Sequence, residues 1–461
     1  MASDNHYEIL VLGGGEAGKY LAWTMSAAGH RTAVVERGLI GGSCPNVACL
    51  PSKNIIHSAK VASLAGRGAE FGLDGETTVD MAAVQRRKRA MVDGLIAMNQ
   101  GRYDSSGTEL ILGEGRFTGP KTITVALNGG GERVLTGDRV FINTGSRPVI
   151  PNIPGLVDAR PMTNVELLNL DHAPDHLVIL GGGYIGLEFA QAMRRLGRRV
   201  TVIEHGPQLA GREDADVAEA ILQLFRDEGI DVILGVSVAG VEGMSGESVT
   251  VRLTSDEGAR TVTGSHLLAA TGRAPNSDGI GLDVAGVEVG PRGFIQVNDR
   301  LETTAEGVWA MGDCAGSPMF THVAYDDFRL VHANLSGGGK STKDRLVPFV
   351  MFTDPELARV GMNENEARSK GVSYRLSKLP VSGILRSRTI SEPRGFLKAL
   401  IAKDTDRILG FTAFGAEAGE LLSAVQTAMV AGMPYTALGE VIFTHPTMSE
   451  GLVFLFGKPP V

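Results

Sequence analysis

The sequence predicts an α/β protein built on two similar βαβ units and completed by a C-terminal segment of mixed α+β texture. Two observations carry this prediction. An apolar run ending in a glycine-rich turn occurs near the start of the chain and again in its middle. After Ser336-Gly-Gly-Gly-Lys-Ser341 the pattern changes to alternating strands and an amphipathic helix. Composition agrees, since 461 residues with 43% apolar and 21% charged content make an ordinary globular chain of several packed domains.

In the first unit, Glu8-Ile-Leu-Val-Leu12 reads as a buried strand and Gly13-Gly-Gly-Glu-Ala-Gly18 as a tight turn. A helix through Ala28 and a second strand, Thr32-Ala-Val-Val-Glu36, follow. This is the order of a Rossmann-like dinucleotide-binding unit. Gly13, Gly15 and Gly18 let the backbone approach a pyrophosphate at the helix N-terminus, and an acidic side chain about 20 residues on, here Glu36, receives ribose hydroxyls. A lone Gly-x-Gly-x-x-Gly is weak evidence; strand, turn, helix, strand and carboxylate in succession are stronger.

Directly downstream comes Gly-Gly-Ser-Cys44-Pro-Asn-Val-Ala-Cys49-Leu-Pro-Ser-Lys53. Two cysteines five positions apart beside a nucleotide fingerprint suggest a redox-active dithiol. Three cysteines are too few for a structural disulfide framework. The third, Cys314, reads as a buried packing residue.

The second unit runs from Leu177-Val-Ile-Leu180 through Gly181-Gly-Gly-Tyr-Ile-Gly186 and a helix to Leu196, then Val200-Thr-Val-Ile-Glu204. Gly181, Gly183 and Gly186 repeat the first fingerprint. Two such sites imply two nucleotides, one a bound flavin and the other a diffusible nicotinamide, with a degenerate copy holding one ligand as the alternative. Glu204 favours NADH over NADPH because a carboxylate accepts ribose hydroxyls and repels a 2'-phosphate; Arg198, Arg199 and Arg212 temper that preference.

Two short strands end in similar turns, Val140-Phe-Ile-Asn-Thr144-Gly145-Ser-Arg-Pro148 and Leu267-Leu-Ala-Ala-Thr-Gly272-Arg-Ala-Pro275, and mark crossings between the nucleotide domains. A third, Gly307-Val-Trp-Ala-Met-Gly312-Asp313, carries a carboxylate at its carboxyl end, where ligands bind in open α/β sheets. The Gly-Gly-Lys-Ser string at Ser341 is rejected as a phosphate loop and read as a linker, because Asn334 replaces its first glycine and a helix precedes it. The helix from Ala418 to Ala431 places Leu421, Val425 and Met429 on one face, for core or a subunit interface.

The net charge of −8 and the lack of a basic tract argue against nucleic-acid or anionic-membrane partners. No run of about 18 apolar residues occurs. The opening Met-Ala-Ser-Asp-Asn-His-Tyr has neither a charged n-region nor an apolar h-region, so the chain is expected in the cytoplasm.

With these motifs in place, the chain resembles, essentially end to end, the FAD-dependent pyridine nucleotide-disulfide oxidoreductases, the group of glutathione reductase, lipoamide dehydrogenase and mercuric reductase. The resemblance rests on both fingerprints, Cys-x4-Cys-x3-Lys, Glu188 in the second unit, the Thr-Gly turns, Gly312-Asp313 and the ending His445-Pro-Thr-Met-Ser-Glu450. It implies an FAD domain over residues 1–147 that resumes over 271–341, an NAD(P) domain over 148–270 and a C-terminal α+β dimerisation domain over 342–461. It further implies a homodimer whose active sites borrow residues across the two-fold axis.

Carried over by position, Cys49 is the thiolate nearest the flavin and Cys44 attacks substrate. Lys53 approaches the flavin and pairs with Glu188, Tyr184 covers the nicotinamide pocket, and Asp313 holds the ribitol. The helix after Thr321 directs its positive end at the flavin ring. His445, paired with Glu450 and contributed by the partner subunit, is the acid-base group; no resident metal is expected. Pro45, taken as the first helical residue, and Ala48, in place of the usual glycine, depart from the common motif.

The expected reaction passes electrons between NADH or NADPH and a thiol or disulfide through FAD and Cys44–Cys49, in a direction these residues leave open. One rival is a metal-ion reductase, since paired thiolates bind soft cations such as Hg(II) or Cu(II). The ending Gly-Lys-Pro-Pro-Val461, without a cysteine pair, and the start at the first fingerprint count against Hg(II). The stretch Thr-His-Val-Ala-Tyr-Asp-Asp-Phe-Arg-Leu330 and the His445 ending nevertheless resemble a stress-response branch near mercuric reductase associated with copper and reactive chlorine. The other rival is a lipoamide-dehydrogenase-like subunit that docks to a multienzyme complex.

Overall fold

In the computed structural model, which describes residues 5–256 and 258–460, three main sheets follow one another along the chain. Residues 1–4, on which the expectation of a leaderless start partly rests, lie outside the described residues.

The first sheet contains β1 (His6–Leu12), β2 (Thr32–Glu36), β3 (Glu109–Gly119), β4 (Thr122–Leu127) and β5 (Glu132–Ile142), closed at its edge by the short strand Val308–Ala310. β1 lies between β2 and β5 in parallel register, with Leu10 opposite Ala33 and Val140. β3 and β5 outrun this parallel part, and their remaining halves pair antiparallel with β4. This explains two departures from the sequence reading. β1 begins at His6 because His6 and Tyr7 still find partners on the long β5, and β5 begins at Glu132, where its first half is paired with β4.

Because the central strands are buried on both faces, apolar residues run through them without alternation. One face packs against helix α1 (Glu16–Ala27) and the helix Thr321–Leu335; the other packs against residues around Leu282 and Ile295. Between β2 and β3 come α2 (Ser43–Val47), α3 (Cys49–Gly66) and α4 (Met81–Ser106). α4 starts where Asp80 accepts the Ala83 amide and stops at Gly107, whose φ of +77° suits a residue without a side chain.

The second sheet is parallel, in the order His266–Ala269, His176–Leu180, Arg199–Ile203, Asp231–Ile233. Helices Tyr184–Arg195 and Ala215–Asp227 cover one face, and an antiparallel meander over residues 237–264 packs on the other. The chain enters and leaves this sheet through a two-stranded ribbon, Ser146–Pro148 against Arg273–Pro275.

The third sheet is antiparallel, in the order Phe349–Met351, Glu356–Gly361, Ile408–Gly415, Phe396–Ala402, Tyr374–Pro380. Helix Ala418–Val430 buries Leu421 and Val425 against it, with Met429 partly covered. Met351, Leu357, Phe396 and Phe414 of this sheet join Ile55 of α3 and Leu177, Leu187 and Val202 of the second unit in one apolar cluster. The fold is therefore α/β with an α+β C-terminal part, and its three parts meet around the dithiol helix.

Candidate active site

Cys44 lies in α2 and Cys49 opens α3, with Ala48 breaking the two at φ −136°. Pro45 thus stands third in its helix, not first as expected. The amide it lacks still belongs to the first turn, which has no intrahelical partners.

Both thiols are free and partly buried. They hydrogen-bond each other, and Thr321 Oγ1, in the first turn of its helix, lies 3.3 Å from Cys49 Sγ. The hydrogen bond from Cys44, reinforced by Thr321 and by the charge of Lys53, draws Cys49 down to about 6 against the opposing effect of burial. The same bond, with burial, drives Cys44 up. At neutral pH the reduced pair therefore keeps its shared proton on Cys44 and its charge on Cys49. Two helix N-termini, those of α3 and of Thr321–Leu335, add favourable partial charge there.

Lys53, one turn beyond Cys49, places Nζ 2.7 Å from Glu188 Oε2 on the helix Tyr184–Arg195. The other Glu188 oxygen accepts the Phe352 amide at 2.9 Å, and Lys53 Nζ lies 4.8 Å from the centre of the Phe352 ring. One ion pair thus ties α3 to the second unit and to the start of the third sheet.

The two fingerprints are geometric copies. A Cβ on Gly18 would lie 2.4 Å from Gly13 O, and one on Gly186 would lie 2.3 Å from Gly181 O, so only glycine allows each helix to close on its strand. Glu36 accepts the Gly14 amide at 2.9 Å, and Glu204 accepts that of Gly182 at 2.6 Å. Gly18 N donates to Asn143 Oδ1 at 3.0 Å, next to Gly15, and Asn143 Nδ2 donates to Met311 O at 2.8 Å.

Beside the first loop, the buried Tyr103 hydroxyl has no protein partner and would lie 3.1 Å from a Cβ on Gly14. Beside the second, Gly183 faces open space. An orphaned donor in one place and an open cradle in the other fit a dinucleotide in each.

Thr144 Oγ1 donates to Asn276 O at 2.6 Å and Gly145 turns the chain at φ +72°. Gly312 and Asp313 lie in a 3-10 turn, Gly312–Ala315, where Gly312 N donates to Asp327 Oδ2 at 2.7 Å. Ser146 Oγ donates to Asp313 and accepts from Arg273 Nε at 2.9 Å. Burial raises Asp313 above the usual carboxylate range, opposed by Ser146 and Arg273.

A cleft of about 770 Å³ opens over the second fingerprint, lined by Gly183, Tyr184, Glu204, Arg212, Glu213 and Gly272. Tyr184 donates its hydroxyl to Glu213 Oε1 at 2.6 Å. His445 occupies the loop before the helix Glu450–Phe456, its side chain 64% exposed, with Nδ1 2.9 Å from Glu450 Oε1. That hydrogen bond lowers Glu450. The imidazole is bound on one side and open to solvent on the other.

Sequence reasoning named Thr321 only as a helix start, not for its hydroxyl beside Cys49, and it missed Asn143, Tyr103, Glu213 and Arg359. Asn143 carried a signal, a polar residue ending an apolar strand before Thr144-Gly145. The others reach the site only through tertiary packing.

The chain matches the family model for pyridine nucleotide-disulphide oxidoreductases over residues 7–327 and that family's dimerisation domain over residues 347–455. It is 38% identical over 458 residues to the probable pyridine nucleotide-disulfide oxidoreductase RclA of Escherichia coli, covering 98% of this chain and 99% of that one. It is 36% identical to a mercuric reductase of Shigella flexneri, covering 98% of this chain and 80% of that one. The solved Cu(II) complex of the HOCl-induced flavoprotein disulfide reductase RclA from Escherichia coli superposes with a TM-score of 0.89 at 37% identity, covering 98% of this chain and 99% of that chain. Two copies of a nucleotide fingerprint, a dithiol held between them and these matches along nearly the whole length lead to one conclusion: the chain belongs to the pyridine nucleotide-disulphide oxidoreductase family.

Proposed function

We propose that the chain carries electron pairs from a reduced nicotinamide through FAD and Cys44–Cys49 to a disulfide. The observation that carries this reading is the geometry of the dithiol, two partly buried free thiols with Thr321 Oγ1 3.3 Å from Cys49 Sγ and the Lys53–Glu188 pair one turn beyond. Gly13, Gly15, Gly18, Glu36, Tyr103 and Asp313 would hold FAD, and Gly181, Gly183, Gly186, Glu204 and Tyr184 the nicotinamide dinucleotide. When bound, FAD supplies the hydride acceptor and electron relay that connect the nicotinamide to the sulfur pair.

The residues then act in order. Cys44 gives its proton to His445 of the partner subunit and attacks one sulfur of the substrate, forming a mixed disulfide. The leaving thiolate takes that proton. Cys49 attacks the Cys44 sulfur, the second substrate thiolate departs and is protonated from solvent, and the internal disulfide closes. The match to a dimerisation domain and the exposed His445–Glu450 pair support a homodimer. Glu204, which faces the cleft, supports NADH over NADPH. We place the chain in the cytoplasm; among the described residues no helix is long and apolar enough to cross a membrane.

A second reading, reduction of Hg(II) or Cu(II), is favoured by the mercuric reductase relative and by the Cu(II) complex of the RclA relative. Anaerobic turnover with NADH, comparing glutathione disulfide and lipoamide with Hg(II) and Cu(II), decides between them. Disulfide-dependent NADH loss that disappears in Cys44→Ser supports the first reading. Turnover with the metal ions alone replaces it with the second.

A further inference from the structure

The carboxylate that receives Tyr184 is unusual in its surroundings. Glu213 is 1% exposed, and its Oε2 lies 3.1 Å from Arg359 Nε, on the strand Glu356–Gly361 of the third sheet. Burial pushes Glu213 up, and the Arg359 charge opposes that push. Arg359 also reaches Glu366 Oε2 at 3.0 Å, and its guanidinium lies 4.8 Å from the centre of the Phe349 ring. The same ring is 5.6 Å from that of Tyr184. Tyr184 is thus held by its hydroxyl and flanked by an aromatic face that Arg359 supports.

The next residue is anchored from the same sheet. Lys398 is fully buried, with Nζ 2.7 Å from Asp214 Oδ2, 2.8 Å from Asp216 Oδ1 and 3.0 Å from Glu364 Oε1. Two cations of the C-terminal part therefore fix consecutive carboxylates, of which Glu213 lines the cleft. A hydroxyl donating at 2.6 Å to a buried carboxylate that also meets a guanidinium makes a short, directed hydrogen bond, so the position of the Tyr184 ring is set by this carboxylate and not by the ring's own packing alone.

We propose that Glu213, clamped by Arg359, is a positioning residue that latches Tyr184 across the cleft, so that admitting the nicotinamide ring requires the Tyr184–Glu213 bond to open. The inference rests on the reading of Tyr184 as the cover of the nicotinamide pocket. It makes the C-terminal part, whose matched family role is dimerisation, a determinant of dinucleotide admission.

The test is anaerobic stopped-flow reduction of the FAD-loaded enzyme by NADH. Tyr184→Phe removes the hydroxyl and leaves Glu213 paired with Arg359. The NADH concentration for half-maximal reduction should fall by about tenfold, within what loss of one hydrogen bond to a charged group allows. Glu213→Gln should shift it in the same direction, and the double variant should match Tyr184→Phe. A purely structural Glu213 would lower the thermal midpoint and leave half-saturation in place. Unchanged half-saturation in both single variants, or effects that multiply in the double variant, overturns the latch. Tyr184→Ala separates the two levels. If it too leaves half-saturation unchanged, Tyr184 does not cover the pocket; if it alone shifts half-saturation, the cover stands and the latch fails.

Discussion

At the scale of single residues, the chemistry turns on how unequally two similar thiols are treated. Cys49 is the acceptor of hydrogen bonds from Cys44 and Thr321 and lies within the field of Lys53, whereas Cys44 is a donor. A thiolate alkylates and a thiol does not, so iodoacetamide labelling of Cys49 in the reduced enzyme should fall as pH drops through about 6. Thr321→Val removes one bond that favours the charged form. The labelling midpoint should therefore move to higher pH, read by mass spectrometry of the Cys49 peptide. A midpoint that stays put would remove Thr321 from the account. The cysteines themselves were legible in the sequence because their spacing and neighbours are local. Thr321 was not, since its role exists only after a helix far along the chain has packed against α3.

Among elements, the glycine-marked strand–turn–helix units were readable to within a residue or two, because the fingerprint, the apolar run and the helix all lie on contiguous chain. β5 was read as a short strand from Val140, because its first half is a polar alternation whose partner, β4, no local pattern announces. Likewise nothing in the strand Phe396–Ala402 reveals that Lys398 will be fully buried among three carboxylates. Replacing it by Met keeps the length and removes the charge, leaving the buried Asp214 without its cation while Asp216 keeps Lys378 and Glu364 keeps Arg368. The expected cost is about 3–5 kcal/mol, the range for breaking a buried ion pair by removing one partner. A urea titration followed by circular dichroism measures it; a loss near zero would mean that the carboxylates take up protons or water at little expense.

For the molecule as a whole, the loop that carries His445 is the most telling surface. Ile442 is 98% exposed, and Val430 and Phe454 on the adjoining helices are exposed as well. Single exposed apolar residues are common, but Ile442 and Phe454 stand close in sequence to His445 and Glu450, whose mutual hydrogen bond leaves the imidazole open to solvent. If the partner subunit supplies His445 as proposed, Ile442→Asp should shift sedimentation from dimer to monomer and lower disulfide turnover together. Monomers with full turnover would contradict the shared site. This level was legible only through resemblance, since no composition or period in the sequence says which face meets a second copy.

The first sheet also imposes an order on synthesis. Its edge strand, Val308–Ala310, is made long after β1 to β5, while every strand of the second sheet lies between, from His176 to Ala269. As the chain leaves the ribosome, the later unit is complete before the earlier one, and Gly312, Asp313 and the helix Thr321–Leu335 that covers the first sheet arrive last.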